Sequence, residues 1–185
     1  NGNKKRMFMK KLPIGIQTFS EIIQNDYVYI DKTTDIHRLI ESGKYYFLSR
    51  PRRFGKSLLL STLSDVFKGN KDLFTGLAIE SLPFAWKSHP VVLISFSDVA
   101  HMTPQDLQQS LRYKLDSIAA DTNIDLSKDL LLGDALQKIE KTIARSNQVV
   151  LLIDEYDYPI LQHAHDIVVA QQMRDILKGF YGVIK

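Results

Sequence analysis

Two short clusters in this chain have residue types and spacing suited to phosphate chemistry: Gly55-Lys56-Ser57 and, 98 positions after Lys56, Asp154-Glu155. A polyphosphate needs many donors and no side-chain obstruction. A glycine lets backbone N–H groups approach it, a lysine ammonium reaches its terminal phosphates, and a serine hydroxyl is a hard oxygen ligand for Mg2+. The general pattern is G-x-x-x-x-G-K-[ST]. Arg50 stands where its first glycine belongs, and Pro51 biases Arg50 toward extended backbone. The candidate phosphate-binding segment is therefore a variant loop, Arg50, Pro51, Arg52, Arg53, Phe54, Gly55, Lys56, Ser57 and Leu58, with Arg52 or Arg53 as added positive charge. The competing reading is a glycine turn that merely opens an amphipathic helix.

Asp154 and Glu155 close the apolar run "VVLLI". Adjacent carboxylates at the end of a buried strand must reach solvent or a cation, because an unpaired buried charge is costly. Asp154 is then the expected partner of Ser57 in holding a magnesium ion, and Glu155 the expected general base toward an attacking water, with Lys56 as the second catalytic group. An acidic turn closing a strand is the alternative.

These groups need elements to carry them. "YYFLS" (Tyr45 to Ser49), "VVLISFS" (Val91 to Ser97) and "VVLLID" (Val149 to Asp154) predict three buried parallel strands. Leu59, Leu60, Leu63, Val66 and Phe67 recur at helical spacing behind the loop, with Gly69 and Asn70 as the stop. Thr33 or Thr34 can cap an earlier helix that Gly43 ends. Thr103, Pro104 and Asp106 open another, with Leu107, Leu111, Leu115 and Ile118 on one face. Ser127 is the expected cap of a region containing Leu136, Ile139 and Ile143, which Gly133 could break. A last helix is expected over about Asp166 to Lys178, with Ile167, Met173, Ile176 and Leu177 inward. Strands alternating with helices imply a parallel sheet covered on both faces.

The 185 residues are 44% hydrophobic and 24% charged, which is globular composition. Of the 24 basic residues, Lys4, Lys5, Arg6, Lys10 and Lys11 crowd the first eleven positions, so residues 1–11 read as a basic, flexible tail and residues 12–185 as the domain. The tail is the only feature that favours nucleic acid as a partner. Zero cysteines exclude disulfides, a thiol nucleophile and a cysteine-built zinc site. The five histidines form no metal pattern; His163 and His165, two apart, read as lying on different sides of a helix. With no apolar run of membrane-spanning length, the expected location is the cytoplasm.

"KKLPIGIQTF", "YVYIDKT", "FLSRPRRFGKSLLLSTL", "PVVLISFSD" and "VVLLIDEYDYPI", in this order, resemble the AAA-ATPase-like family. The resemblance covers nearly everything from Lys10 onward, and it makes R-P-R-R-F-G-K-S the family's own form of the loop. It implies an α/β fold, a three-layer P-loop NTPase-type parallel sheet with helices on both faces. It also implies ATP and Mg2+ as ligands, ATP hydrolysis, and a C-terminal PD-(D/E)XK nuclease-like region of the same polypeptide as a partner, with an oligomer compatible. Residues 156–185 look helical, so the expected domain stops before the sensor strand. A non-hydrolysing nucleotide-binding regulatory or scaffold module, and a nucleic-acid-associated domain, are the alternative functions. Asp31 or Lys32 could lie near the nucleotide, or serve as helix caps. Ser97 and Asp98 would sit at the ligand-binding end of the sheet, and Tyr156 and Tyr158 could line a cleft.

Overall fold

The computed structural model of the protein describes residues 10–51, 53–127, 130–144 and 148–184. Its contacts divide the chain into two compact units, Asn1–Ser88 and His89–Lys185.

The first unit is helical. Helix α1 (Phe19–Gln24) buries Phe19 and Ile22, three residues apart on one face. The Phe19 amide, which has no partner within its own helix, donates to Ser61 Oγ at 2.9 Å. Helix α2 (Thr33–Ser42) buries Thr33 and Ile36, and helix α3 (Lys56–Phe67) buries Leu63 and Val66. Helix α3 ends where sequence predicts: Gly69 adopts φ +75°, and Asn70 bonds Asp65 through both its backbone and its side chain. Two 3-10 turns, Lys71–Phe74 and Ala78–Ser81, follow. Phe74 stacks on Phe19 with ring centroids 4.7 Å apart and tilts against Trp86 at 5.1 Å. Lys10 pairs with Asp26 at 2.7 Å, and the Val28 amide donates to the Lys11 carbonyl, so these two tail residues contact the unit. Residues 1–9 lie outside the described residues.

The second unit is α/β. Strand β1 (Val91–Ser95) leads through α4 (Pro104–Asp121) and α5 (Leu132–Ile143) to strand β2 (Val150–Asp154), then to α6 (Tyr158–Gln162) and α7 (Ile167–Tyr181). The strands pair in parallel, from Val91 opposite Val150 to Ser95 opposite Asp154. A parallel pair needs a long crossover, which the two helices supply. Helix α4 starts on a full capping box: Thr103 Oγ1 accepts from the Asp106 amide, and the Asp106 carboxylate accepts from the Thr103 amide. Ile94, Phe96, Leu111, Ile139, Met173 and Phe180 meet in the core, where each fully buried side chain contributes about 1.5–3 kcal/mol. Among the described residues no helix is long and apolar enough to cross a membrane.

Several expectations change. Tyr45–Ser49 is not a strand: its residues are exposed, Phe47 to 70%. A strand exists only through a ladder partner, and here the chain is pinned locally, the Tyr46 hydroxyl donating to the Leu39 carbonyl while its ring covers Gly43. Among the described residues the sheet has two strands, so the architecture shown is α/β with a small parallel pair. Ser127 does not cap α5, whose N-cap position is Leu131. Gly133 does not break it either. A Cβ there would lie 2.8 Å from the Gly179 carbonyl oxygen and 3.2 Å from Val183 Cγ1, so the glycine admits the backbone of α7. Helix α7 runs to Tyr181 and is capped by Asp166, which accepts from the Val168 and Val169 amides; Ile167, expected inward, is 71% exposed.

Asp31 holds the first unit together. Its carboxylate accepts from the Thr33 amide and hydroxyl and from the Ala78 amide, while the Ile79 amide donates to Thr33 Oγ1. Burial alone would raise its pKa; the Ala78 and Thr33 donors outweigh that and hold it below the ordinary value. Because the folded pKa is depressed, the contribution is present above the unfolded value of about 4 and lost as pH falls through the folded one. Asp31→Ala is expected to destabilise the protein by about 1–2 kcal/mol at pH 7, from lost hydrogen bonds. In denaturant titrations the gap between variant and wild type should shrink toward pH 3; a gap independent of pH would contradict the assignment.

The two facing glycines give a contrasting pair. Gly133→Ala should cost about 1–2 kcal/mol, overpacking outweighing the gain in helix propensity. Gly179→Ala, whose Cβ would meet nothing within 4 Å, should stabilise by roughly 0.5–1 kcal/mol. Equal effects in urea melts would refute the close-approach explanation.

Candidate functional site

Helix α3 opens on Gly55, whose φ of +75° and ψ of 22° are left-handed, with Lys56 and Ser57 as its first two residues. The first N–H groups of this helix have no intrahelical acceptor and carry the positive end of the helix dipole. The Lys56 ammonium folds back over the loop and donates to the carbonyls of Arg50 at 2.7 Å and Pro51 at 3.2 Å. Arg50, Pro51, Arg53 and Phe54 are exposed, while Ser57 and Leu58 are half-buried in the first turn. Arg52 lies outside the described residues.

Arg50, where a glycine would be expected, is not among the residues with positive φ. Among the described loop residues the left-handed positions are Arg53, at φ +65°, and Gly55. Glycine takes such a conformation without penalty, whereas for arginine it costs of order 1–3 kcal/mol. Chemically the described loop offers the free amides at the helix start, one ammonium and the two exposed guanidiniums of Arg50 and Arg53, a set of donors suited to an anion.

The carboxylates sit at the end of β2. Asp154 is its last residue, and its carbonyl accepts from the Phe96 amide at 3.0 Å, one step beyond the last paired residue of β1. One Asp154 carboxylate oxygen accepts from the Glu155 amide at 3.0 Å. Glu155 itself is left-handed, with φ +52°, and its carbonyl accepts from the Tyr158 amide at 2.9 Å. Both carboxylates are half-buried. Four non-glycine residues among those described have positive φ, and two of them, Arg53 and Glu155, fall within the segments singled out by sequence.

Sequence reasoning overlooked Tyr181. It ends α7, and its hydroxyl is buried with no hydrogen-bond partner among the described residues. Burial first, then the neighbouring Tyr156 and Asp157, push its pKa well up. Asp157 precedes α6 at the N-cap position but makes no side-chain cap bond. Only a tyrosine at helical spacing marked this in sequence, a pattern shared by ordinary core residues.

Other expected positions resolve differently. Asp31 is engaged within its own unit, as described above. Ser97 Oγ lies 2.7 Å from Ser95 Oγ and donates to Asp98 at 3.1 Å, and Lys114 donates to the Ser95 carbonyl at 3.2 Å. Asp98, Tyr113, Lys114 and Ser117 line an open cavity of about 430 Å3. His163 and His165 lie in the turn after α6, not on a helix; His163 Nε2–H donates to the His101 carbonyl at 2.7 Å. Among the described residues no group of three or more His, Cys, Asp or Glu is arranged for a metal ion. By donor type the Ser57 hydroxyl of the first unit and the Asp154 carboxylate of the second are each a hard oxygen ligand of the kind Mg2+ takes.

A curated relative, described as an uncharacterized protein in the vnfD 5' region of Azotobacter chroococcum mcd 1, is 41% identical over 186 residues, covering 97% of this chain and 35% of its own length. The chain thus spans about a third of that relative. No solved structure matches. The model of a family described as Predicted AAA-ATPase matches residues 13–185, nearly the whole described fold with both the loop and the carboxylate turn. The chain belongs to the AAA-ATPase-like family.

Proposed function

We propose that the protein binds ATP with Mg2+ and hydrolyses it slowly, as the nucleotide-handling part of a larger protein. The observation that carries this reading is the opening of α3 on a left-handed glycine followed at once by Lys56 and Ser57, in a chain of the AAA-ATPase-like family. In this reading Arg50 to Leu58 is a Walker A segment and Asp154-Glu155 a Walker B pair, and a three-layer P-loop arrangement belongs to the same proposal.

Each group then has a role set by its chemistry. The free amides at the start of α3 hold phosphate oxygens, and the Lys56 ammonium exchanges the Arg50 and Pro51 carbonyls for the terminal phosphates. Arg53 adds positive charge at the loop's exposed side. The Ser57 hydroxyl and the Asp154 carboxylate would hold the magnesium ion, which when bound offsets phosphate charge. Glu155 orients a water and takes its proton. Its left-handed backbone, tied through its amide to Asp154 and through its carbonyl to Tyr158, restricts where that carboxylate can point. The resemblance in sequence adds a nuclease-like region of the same polypeptide as the partner such turnover would serve.

Lys56→Ala should weaken ATP binding at least tenfold by isothermal titration, while Glu155→Gln should keep affinity and lower turnover by roughly 10²–10⁴-fold. Wild-type affinity in the Lys56 variant would sink the reading. Tight binding without turnover in the wild type would point to a non-hydrolysing regulatory module.

Asp154→Asn provides the metal test: ATP affinity should fall in magnesium buffer and match wild type in EDTA. An equal loss in both buffers would remove Asp154 from the metal role.

A further inference from the structure

We propose that Tyr181 is a positioning residue for Glu155: its hydroxyl donates to the Asp157 carboxylate through one buried water, and so fixes the turn between β2 and α6. The role of Glu155 in turnover rests on the function proposed above; the link between Tyr181 and Asp157 does not.

Four observations point to it. The Tyr181 hydroxyl is buried without a partner among the described residues, although a buried hydroxyl left unpaired costs about as much as a lost hydrogen bond and is rare in folded proteins. Asp157, a residue type that readily caps helices, occupies the N-cap of α6 without using its carboxylate there. Donor and acceptor therefore lie on two elements of one unit, the hydroxyl without a partner among the described residues and the carboxylate not committed to the cap. Helix α6 packs against α7, which brings the two elements together, and the charge of Asp157 reaches the Tyr181 phenol.

The Tyr181 ring is held against Phe96, with centroids 6.0 Å apart, and Phe180, at 5.4 Å. Phe96 is the residue whose amide bonds the Asp154 carbonyl. Tyr181 thus packs on one anchor of the acidic turn and has its hydroxyl near another. Between those anchors sits Glu155 at φ +52°, a conformation that neighbouring contacts must maintain. A hydroxyl bond to Asp157 would close the turn from its far side.

Amide hydrogen exchange of residues 155–161 in the nucleotide-free full chain tests the link. Tyr181→Phe and Asp157→Asn should each raise exchange roughly five- to tenfold, the equivalent of one hydrogen bond, and the double variant should show no more than either single one. Unchanged or slower exchange in Tyr181→Phe, or fully additive effects, would overturn the link, and Asp157→Asn decides it if the tyrosine variant does not fold. Where the wild type hydrolyses ATP, Tyr181→Phe should lower kcat at constant KM. A rise in exchange with kcat unchanged would overturn the positioning role. A wild type that turns over no ATP would instead refute the proposed function and leave the exchange comparison to judge the hydrogen bond.

Discussion

The parallel pairing of β1 with β2 governs what the second unit can do. Its register sets Ser95 opposite Asp154 and lets the Phe96 amide reach the Asp154 carbonyl. Because side chains alternate along a strand, a slip of one residue would turn Asp154 to the other face and place an apolar neighbour at its position. The apolar residues of both strands make such a slip costly, since Ile94 is buried in the core and Ile153 packs against it. Hydrophobic burial thereby sets the location of two charged groups that contribute nothing to the core themselves.

Strain accompanies charge in both units. Arg53 precedes Gly55 by two residues, Glu155 follows the strand by one, and both adopt a backbone that ordinary residues avoid. Local bonds compensate: the Lys56 ammonium gathers two loop carbonyls, and the Glu155 turn is tied at its amide and its carbonyl. Asp31 shows the opposite case, a carboxylate fully engaged by donors from two segments and therefore structural. What separates the two kinds of acidic residue is how many of their acceptor sites the fold already uses.

Legibility in sequence followed the range of the interactions involved. The opening of α4 was readable because the Thr103 and Asp106 capping box is a local exchange of two hydrogen bonds. The apolar cores of β1 and β2 were readable as unbroken apolar runs containing β-branched residues, and the end of α3 through Gly69. Tyr45–Ser49 is likewise a short run of strand-favouring type, aromatic where those are aliphatic, yet a strand needs a partner, and Tyr46 instead packs onto the end of α2. Gly133 looked like a helix breaker because glycine has low helix propensity; its reason is the Gly179 carbonyl of another helix. Ile167 matched the helical period of α7 but falls at its exposed start.

Sequence alone determined which groups could bind phosphate and metal, because Gly55, Lys56, Ser57, Asp154 and Glu155 are defined by type and by their place at the ends of apolar or helical runs. Tertiary structure decided which polar groups remain available. Asp31 is consumed by the Ala78 and Thr33 donors, whereas the Tyr181 hydroxyl is buried with no partner among the described residues and the Asp157 carboxylate is not used to cap α6. Chain order encodes propensity within a few residues, while desolvation and hydrogen-bond satisfaction depend on which distant segments enclose an atom.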